Sequence, residues 1–577
     1  MTASTIPISR DTSLHDSAAA VQTGAAVPTA AETDLWIFRD GRKEVSGTAM
    51  VRDLACRVTQ PNSQSVLDSL IEAGELEAAL CDSAAPGAVA AAKLTDALAD
   101  AVFTGNKNSN LPELVTRIEA PDRISVSAPE GFTYYALHPL DFSKIGDRVP
   151  AEPRPCAIIG IRSIGTTLSA MTAAGLRARN GASNRERNRP VSRITVRPTG
   201  HPYARTMQFE SEQAQWIQEQ KSRAAQFLIV DEGPGRSGST FLSVAEALLN
   251  AGVLREAISI LGSRQFDPLS LCAEDAAARW RTFRFLATEP SANTRFEGCH
   301  YLGGGEWRKW FSGNDESWPE SWTQMERLKF LSADRQTFFK FEGMGPMGAE
   351  VRERAFALAE AGVSPSVADA GDGFLAYENL QTGHLRRTDI NVFMLEHIAK
   401  YCAFRVAQVP SEPSDSGELH RMLKFNVQQE FGSQLPVDGE ALVSEHPVLV
   451  DGRMQPHEWI ATTDGRFLKC DAISHGDNHF FPGPCDIAWD VAGTAIEWQL
   501  NPDATSFLMD RLRQLSGIDV SRRLRIFTLA YAVFRLGFCK MAMSTVRGSP
   551  EECRLLDAYQ YYRRTAEQLL GGSPVGR

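Results

Sequence analysis

The chain has 577 residues, 43% hydrophobic and 23% charged, ordinary values for globular protein and long enough for roughly three or four domains. A formal charge of -11 argues against a nucleic-acid-coating or membrane-surface role. Ten cysteines scattered from Cys56 to Cys553, with no C-x-x-C pair, fit neither a disulfide framework nor a structural zinc site and point to reduced thiols in a cytoplasmic protein.

In chain order, residues 1–30 are small and polar and read as a flexible tail rather than a signal peptide. TDLWIFRDGRKEVSGTAMV predicts a hairpin around Asp40-Gly41. From Ser63 to Ala101, Val66, Leu67, Leu70, Leu76 and Leu80 recur at helical spacing, so 31–125 reads as a small, mainly helical region. Over 126–262 short apolar strands alternate with helices. The strands are Cys156–Ile161, Ser192–Arg197 and Phe227–Val230, and the helices include Thr167–Arg179 and Thr240–Ala251. This alternation predicts an α/β unit with a parallel sheet covered on both faces. The charged run Arg185–Pro190 reads as a solvated loop, and 263–295 as a linker.

The remainder, 296–577, reads as an α+β unit with a small lobe at about 296–380 and a large lobe at about 381–577. It opens on a Trp- and Gly-rich stretch whose Trp307, Trp310, Trp318 and Trp322 are expected in lobe packing. Strand TFFKFEG, a helix from about Gly348 to Ala361 and strand GFLAYENL follow. Amphipathic helices flank an acid- and histidine-rich segment from His446 to Asp490. No apolar run approaches the roughly 20 residues that cross a bilayer, and no repeat of solenoid period is present.

Two constellations carry chemistry. In FLIVDEGPGRSGSTF (Phe227 to Phe241), a buried strand runs into Asp231 and Glu232 and then into a loop of Gly, Ser and Thr. Gly233, Gly235 and Gly238 let the backbone approach a phosphate closely, and Ser237, Ser239 and Thr240 add hydroxyl donors before a helix. The acids are placed to accept hydrogen bonds from vicinal sugar hydroxyls. This pattern resembles the type I phosphoribosyltransferases, with a spacer one residue longer than theirs. IIGIRSIGTTL (Ile158 to Leu168) resembles their pyrophosphate turn, and VRPTGHPYAR (Val196 to Arg205) their basic strand end and mobile loop. The resemblance implies transfer of phosphoribose from phosphoribosyl pyrophosphate. Asp231 and Glu232 would steady the ribose, while Arg162, Ser163, Arg197, backbone amides and Mg2+ would stabilise the leaving group.

The second constellation begins with Lys340 in the middle of an apolar strand, with Glu350 and Glu353 on the next helix. It continues with HPVLVDGRMQPHEWIATTDGRFLKCDA (His446 to Ala472), an acid, a hairpin turn at Asp464-Gly465 and a second acid. These segments resemble the aminoglycoside phosphotransferase and protein-kinase-like superfamily. The resemblance implies ATP held by Lys340, with Glu350, or alternatively Glu353, orienting the lysine and Tyr377 and Glu378 in the strand linking the lobes. It implies Asp451 as the catalytic carboxylate that positions the acceptor hydroxyl and takes its proton, and Asp471 with His457 as Mg2+ ligands. His457 stands where the superfamily carries Asn, and Leu449 where it carries His. Asp490 in DIAWDVAG resembles the acid that braces the large lobe. His475, Asp477 and His479 offer a separate metal-ligand pattern, or a loop lining the cleft.

The reading is a bifunctional cytoplasmic transferase, a phosphoribosyltransferase (a glycosyltransferase class) joined to a small-molecule kinase, both using magnesium. The alternative is a nucleotide-binding sensor with one or both domains inactive. Small-molecule substrates, no nucleic acid and no membrane are expected, with a homodimer as a possibility carried by the first resemblance.

Overall fold

The computed structural model describes residues 37, 42–59, 63–106, 110–149, 154–182, 190–201, 203–235, 237–314, 318–380, 383–409, 416–432, 439–444, 447–473, 475–476, 481 and 484–571. The expected turn at Asp40-Gly41, the tail, 185–189 and the pair Asp477 and His479 lie outside these residues.

Strand β1 (Arg42–Val45) pairs antiparallel with β2 (Ile124–Ser127), across four intervening helices, α1 (Gly47–Thr59), α2 (Ser63–Asp82), α3 (Ala88–Thr104) and a short one at Leu111–Thr116. The parallel sheet follows: β3 (Cys156–Ile161), α4 (Ile164–Ala182), β4 (Val191–Val196), α5 (Ser211–Ser222), β5 (Gln226–Val230), α6 (Ser239–Asn250), β6 (Ile258–Gly262) and β7 (Arg284–Ala287). Its order is β4-β3-β5-β6-β7, all parallel. CAIIGI is apolar throughout because both sheet faces are covered. Ile158 faces the core built with Leu70 and Leu168, while Ala157, Ile159 and Ile161 face Phe241, Leu242 and Leu248.

One boundary expectation is corrected. Residues 263–295 are not a linker, since β7 completes the sheet beside β6. The helical region 31–125 is built onto the sheet, since α2 and α3 pack on α4 and cover one sheet face. Arg193 of β4 ties that layer down, with Glu77 of α2 at 2.8 Å and Asp96 of α3 at 2.9 Å.

The second sheet is antiparallel: β8 (His300–Tyr301), β9 (Lys329–Leu331), β10 (Thr337–Phe341), β11 (Val367–Gly371) and β12 (Phe374–Glu378), in the order β8-β9-β10-β12-β11. Helix α7 (Gly345–Glu360) lies between β10 and β11. The large lobe is helical, with α8 (Val392–Gln408), α9 (Ser416–Phe431), α10 (Ala488–Glu497), α11 (Pro502–Ser516), α12 (Leu524–Thr545) and α13 (Pro550–Gly571). It includes the hairpin of β13 (Trp459–Ala461) and β14 (Phe467–Lys469). Against the sequence expectation, α12 is long and apolar enough to cross a membrane by length and composition. However, 72% of its most apolar window is buried inside the fold, against α10 and α13 among others, as in a core helix.

The halves are joined by more than the chain. Phe296, Phe330, Phe341, Met344 and Phe374 belong to the same core as Leu70, Ile71 and Phe132. The Gly345 amide donates to Asp68 at 2.9 Å and the Met344 amide to the Phe132 carbonyl at 3.0 Å. Gly345 has φ +74°, and an added Cβ would lie 2.9 Å from Ile71.

Candidate functional site

In the parallel sheet the chain passes from β3 to one side and returns to β5 on the other, so the carboxyl ends of β3 and β5 form the switch point where such sheets take ligands. Asp231 and Glu232 follow β5, and Arg162 and Ser163 follow β3. The two turns abut: a Cβ at Gly165 would sit 2.6 Å from the Val230 carbonyl and 3.2 Å from Asp231. Ser163 holds φ +100°, a strained conformation of the kind stored at ligand sites.

Around this point the side chains differ from expectation. Arg162 is buried, with Nη1 3.1 Å from Asp82, and Arg197 reaches the same carboxylate at 2.5 Å. Both guanidinium groups are therefore tied to Asp82 at the end of α2. Ser237 and Ser239 are buried with their hydroxyls 3.0 Å apart, and Gly238 has φ +69° at the start of α6. Gly233, Gly235 and Thr240 are half-buried in the same loop. The expected mobile loop is an antiparallel hairpin, Thr199–His201 with Ala204–Thr206, packed beside α6. Glu232 lies against Gly131, where a Cβ would be 2.8 Å from its carboxylate.

The second site is the cleft between the small sheet and the large lobe, a cavity of about 210 Å3. Lys340, from the centre of β10, ion-pairs there with Asp471, which follows β14. Alternation along a strand puts Glu342 on the same face as Lys340, and the two meet at 2.9 Å. The Lys340 side chain is 4% exposed. Burial opposes its charge, but the two carboxylates outweigh it and raise its pKa. Tyr377 of β12 donates to Glu342 at 3.2 Å, and exposed Glu378 follows it at the cavity edge. Glu350 and Glu353 are exposed on α7. Glu342 and Asp471 are carboxylates that hold Lys340.

Asp451 is 1% exposed and enclosed. Its carboxylate accepts from Tyr401 and from the Arg453 amide at 3.1 Å, and lies 3.2 Å from the Lys469 ammonium and 3.4 Å from Arg405. Burial would raise its pKa, but Lys469, the His475 hydrogen bond and Arg405 hold it below the usual carboxylate range. So enclosed, Asp451 has no open edge on the cavity for an acceptor hydroxyl, which speaks against the catalytic role expected of it. Asp490 fixes the turn, accepting from the amides of Asp451 at 2.9 Å and Gly452 at 3.1 Å.

His457 does not join Asp471. Its ring stacks on Trp307 at 5.6 Å, its carbonyl accepts from His384, and it lies in the field of Arg453, Lys469 and Arg535. Burial first, then His384 and these cations, hold its imidazole below the usual range, and the field of the cations opposes a divalent cation there. The neighbouring acid is Glu458. Asp451, Glu458 and His475 offer ligand atoms within 4.8 Å of one another. That space fails a test for metal, because the Lys469 ammonium already lies 2.8 Å from Glu458 and 3.2 Å from Asp451 and donates to the Cys470 carbonyl at 3.1 Å. Asp471 fits a hard cation better: it faces the cavity, with His475 at 3.6 Å.

Sequence reasoning missed Glu342, Glu458 and Lys469. The two-residue step from Lys340 to Glu342 was a readable signal for the first. The other two needed the hairpin register, which places Trp459 opposite Lys469.

No family model matches the chain, and none of the curated proteins compared with it matches. Solved structures are similar over part of it. The choline kinase LicA from Streptococcus pneumoniae aligns over 42% of this chain and 89% of its own, with 13% identity and a TM-score of 0.30. A Plasmodium vivax ethanolamine kinase aligns over 42% and 79%, with 10% identity and a TM-score of 0.29. A choline/ethanolamine kinase family protein from Mesorhizobium loti aligns over 42% and 88%, with 13% identity and a TM-score of 0.27. At these scores the chemistry of the cleft rests on its own geometry.

Proposed function

We propose that the C-terminal cleft binds a nucleoside triphosphate, ATP, and transfers its terminal phosphate to a small-molecule hydroxyl. The observation that carries this reading is the meeting of Lys340, from the centre of the small sheet, with Asp471, from the large lobe. An ammonium poised on a cavity-facing carboxylate can turn to phosphate oxygens as the nucleotide enters. Asp471 is then released to the divalent cation, Mg2+, that neutralises charge on the transferring group. Lys340→Met and Asp471→Asn should each cut transfer of labelled phosphate from ATP by at least about a hundredfold. Unchanged transfer in either variant would refute the reading.

A second reading, nucleotide binding without transfer, is favoured by Asp451, whose enclosure leaves the cleft without the proton acceptor the sequence suggested. ATP binding that is lost in Lys340→Met, with no phosphate moved to any hydroxyl, would decide for it.

For the parallel sheet we propose a phosphorylated ribose as ligand, with phosphoribosyl pyrophosphate as the candidate substrate. Support comes from Asp231 and Glu232 at the switch point beside strained Ser163. Pyrophosphate release that disappears in Asp231→Asn would establish transfer. Small-molecule substrates and a cytoplasmic setting belong to the same proposal, as does a homodimer.

A further inference from the structure

The cations of the cleft are almost all answered by carboxylates. Lys340 has Glu342 and Asp471, Lys469 has Asp451 and Glu458, Lys329 lies 3.7 Å from Glu326, and Arg327 lies 3.7 Å from Glu342. Arg453 differs. It lines the same cavity, half-exposed, yet among the described residues its guanidinium has neither an ion pair nor a side-chain hydrogen bond. Its one recorded side-chain contact is with the ring face of Phe538, 5.1 Å from the centroid.

The residue is nonetheless held in place. Its amide donates to Asp451, and the two amides before it are anchored on Asp490. Lys469 and Arg535, which share the surroundings of His457 with it, keep carboxylates of their own: Lys469 has Asp451 and Glu458, and Arg535 donates to Glu320 at 2.6 Å. A guanidinium presents five N–H donors in a fork that matches phosphate or carboxylate oxygens. A fixed, unanswered fork on a cavity wall is a receptor awaiting its anion.

We propose that Arg453 binds a phosphate group of a molecule seated in the cleft. This deepens the phosphotransfer reading and rests on it. The phosphate has two sources, the terminal phosphate of the nucleotide or a phosphate on the second substrate.

The test uses the full chain and its Arg453→Gln and Arg453→Lys variants, with calorimetric binding of ATP, ADP, AMP and adenosine, and of ribose 5-phosphate and ribose, each with Mg2+. Arg453→Gln should weaken at least one phosphorylated probe by about tenfold or more and leave its unphosphorylated counterpart unchanged, with Arg453→Lys between. A loss for ATP but not ADP places the fork on the terminal phosphate. A loss for ribose 5-phosphate in the presence of ADP places it on the second substrate. Equal affinities of wild type and Arg453→Gln for every phosphorylated probe overturn the proposal, as does a wild type that binds none of them. If Arg453→Gln does not melt like the wild type, the Arg453→Lys comparison decides. The phosphotransfer reading fails separately, through ATP binding indifferent to Lys340→Met.

Discussion

Asp451 shows how far a single carboxylate can be from the role its sequence position suggests. The motif placed an acid in a loop before a hairpin, which is visible in one dimension. The Tyr401 hydroxyl and the Lys469 ammonium that enclose it arrive from a helix and a strand and are not. Lys469 is the centre of that enclosure, a cation 0% exposed between two acids. Lys469→Met should leave Asp451 and Glu458 as uncompensated buried charges and cost about 3–5 kcal/mol in thermal unfolding. Mn2+ should recover part of the loss in the variant, where the acids and His475 come free, and give no such gain in the wild type.

Asp490 titrates in the opposite sense from Asp451. Burial, and then the Asp451 charge, push its pKa up from 3.8 to about 6, against the amides that favour its ionised form. A raised pKa means the folded chain holds this proton more tightly than the unfolded one. The contribution is full below pH about 4 and lost as pH rises through about 6. Asp490→Asn removes that titration. It should therefore destabilise more at pH 4.5 than at pH 7, by roughly 2 kcal/mol, in urea unfolding. An equal loss at both values would show that Asp490 keeps its ordinary pKa.

At the scale of elements, the parallel strands were legible because continuous apolar runs leave them one fate. Strand Cys156–Ile161 and helix α6 fall within a residue of their expected ends. Strand β7 was missed because RFLA is only four residues long, with Arg284 exposed. The segment 302–328 was read as packing, and its reach into the large lobe was not legible. Arg308 lies 2.8 Å from Glu551 of α13, and Trp322 meets Phe538 of α12 edge-on at 5.2 Å. The Ser321 amide also donates to Glu551 at 2.7 Å. A connection between two strands of the small lobe thus becomes a clasp on the large one. Glu551→Ala would strand buried Arg308 and should cost about 3–5 kcal/mol. Proteolytic cleavage within 302–328 should then outpace cleavage elsewhere, and a cleavage pattern like that of the wild type would show the clasp held by its aromatic contacts alone.

At the scale of the molecule, the two sites share one body. The core under α2 and α4 continues through Phe132 into Phe330, Phe341, Met344 and Phe374, the underside of the small lobe. Arg327 sits at this seam, donating to the Thr133 carbonyl at 3.3 Å, with its guanidinium over Tyr134 at 5.3 Å and Glu342 at 3.7 Å. A division of the sequence at a linker therefore fails physically. Residues 296–577 alone would expose those four apolar side chains, at about 1.5–3 kcal/mol each. The sum, roughly 6–12 kcal/mol, is comparable to the whole stability of an ordinary domain. That fragment should aggregate or stay unfolded, and the intact chain should unfold in one calorimetric transition, with Phe341→Ala lowering its midpoint without splitting it. A fragment that melts cooperatively near the temperature of the intact chain would mean that the halves fold apart and only then meet.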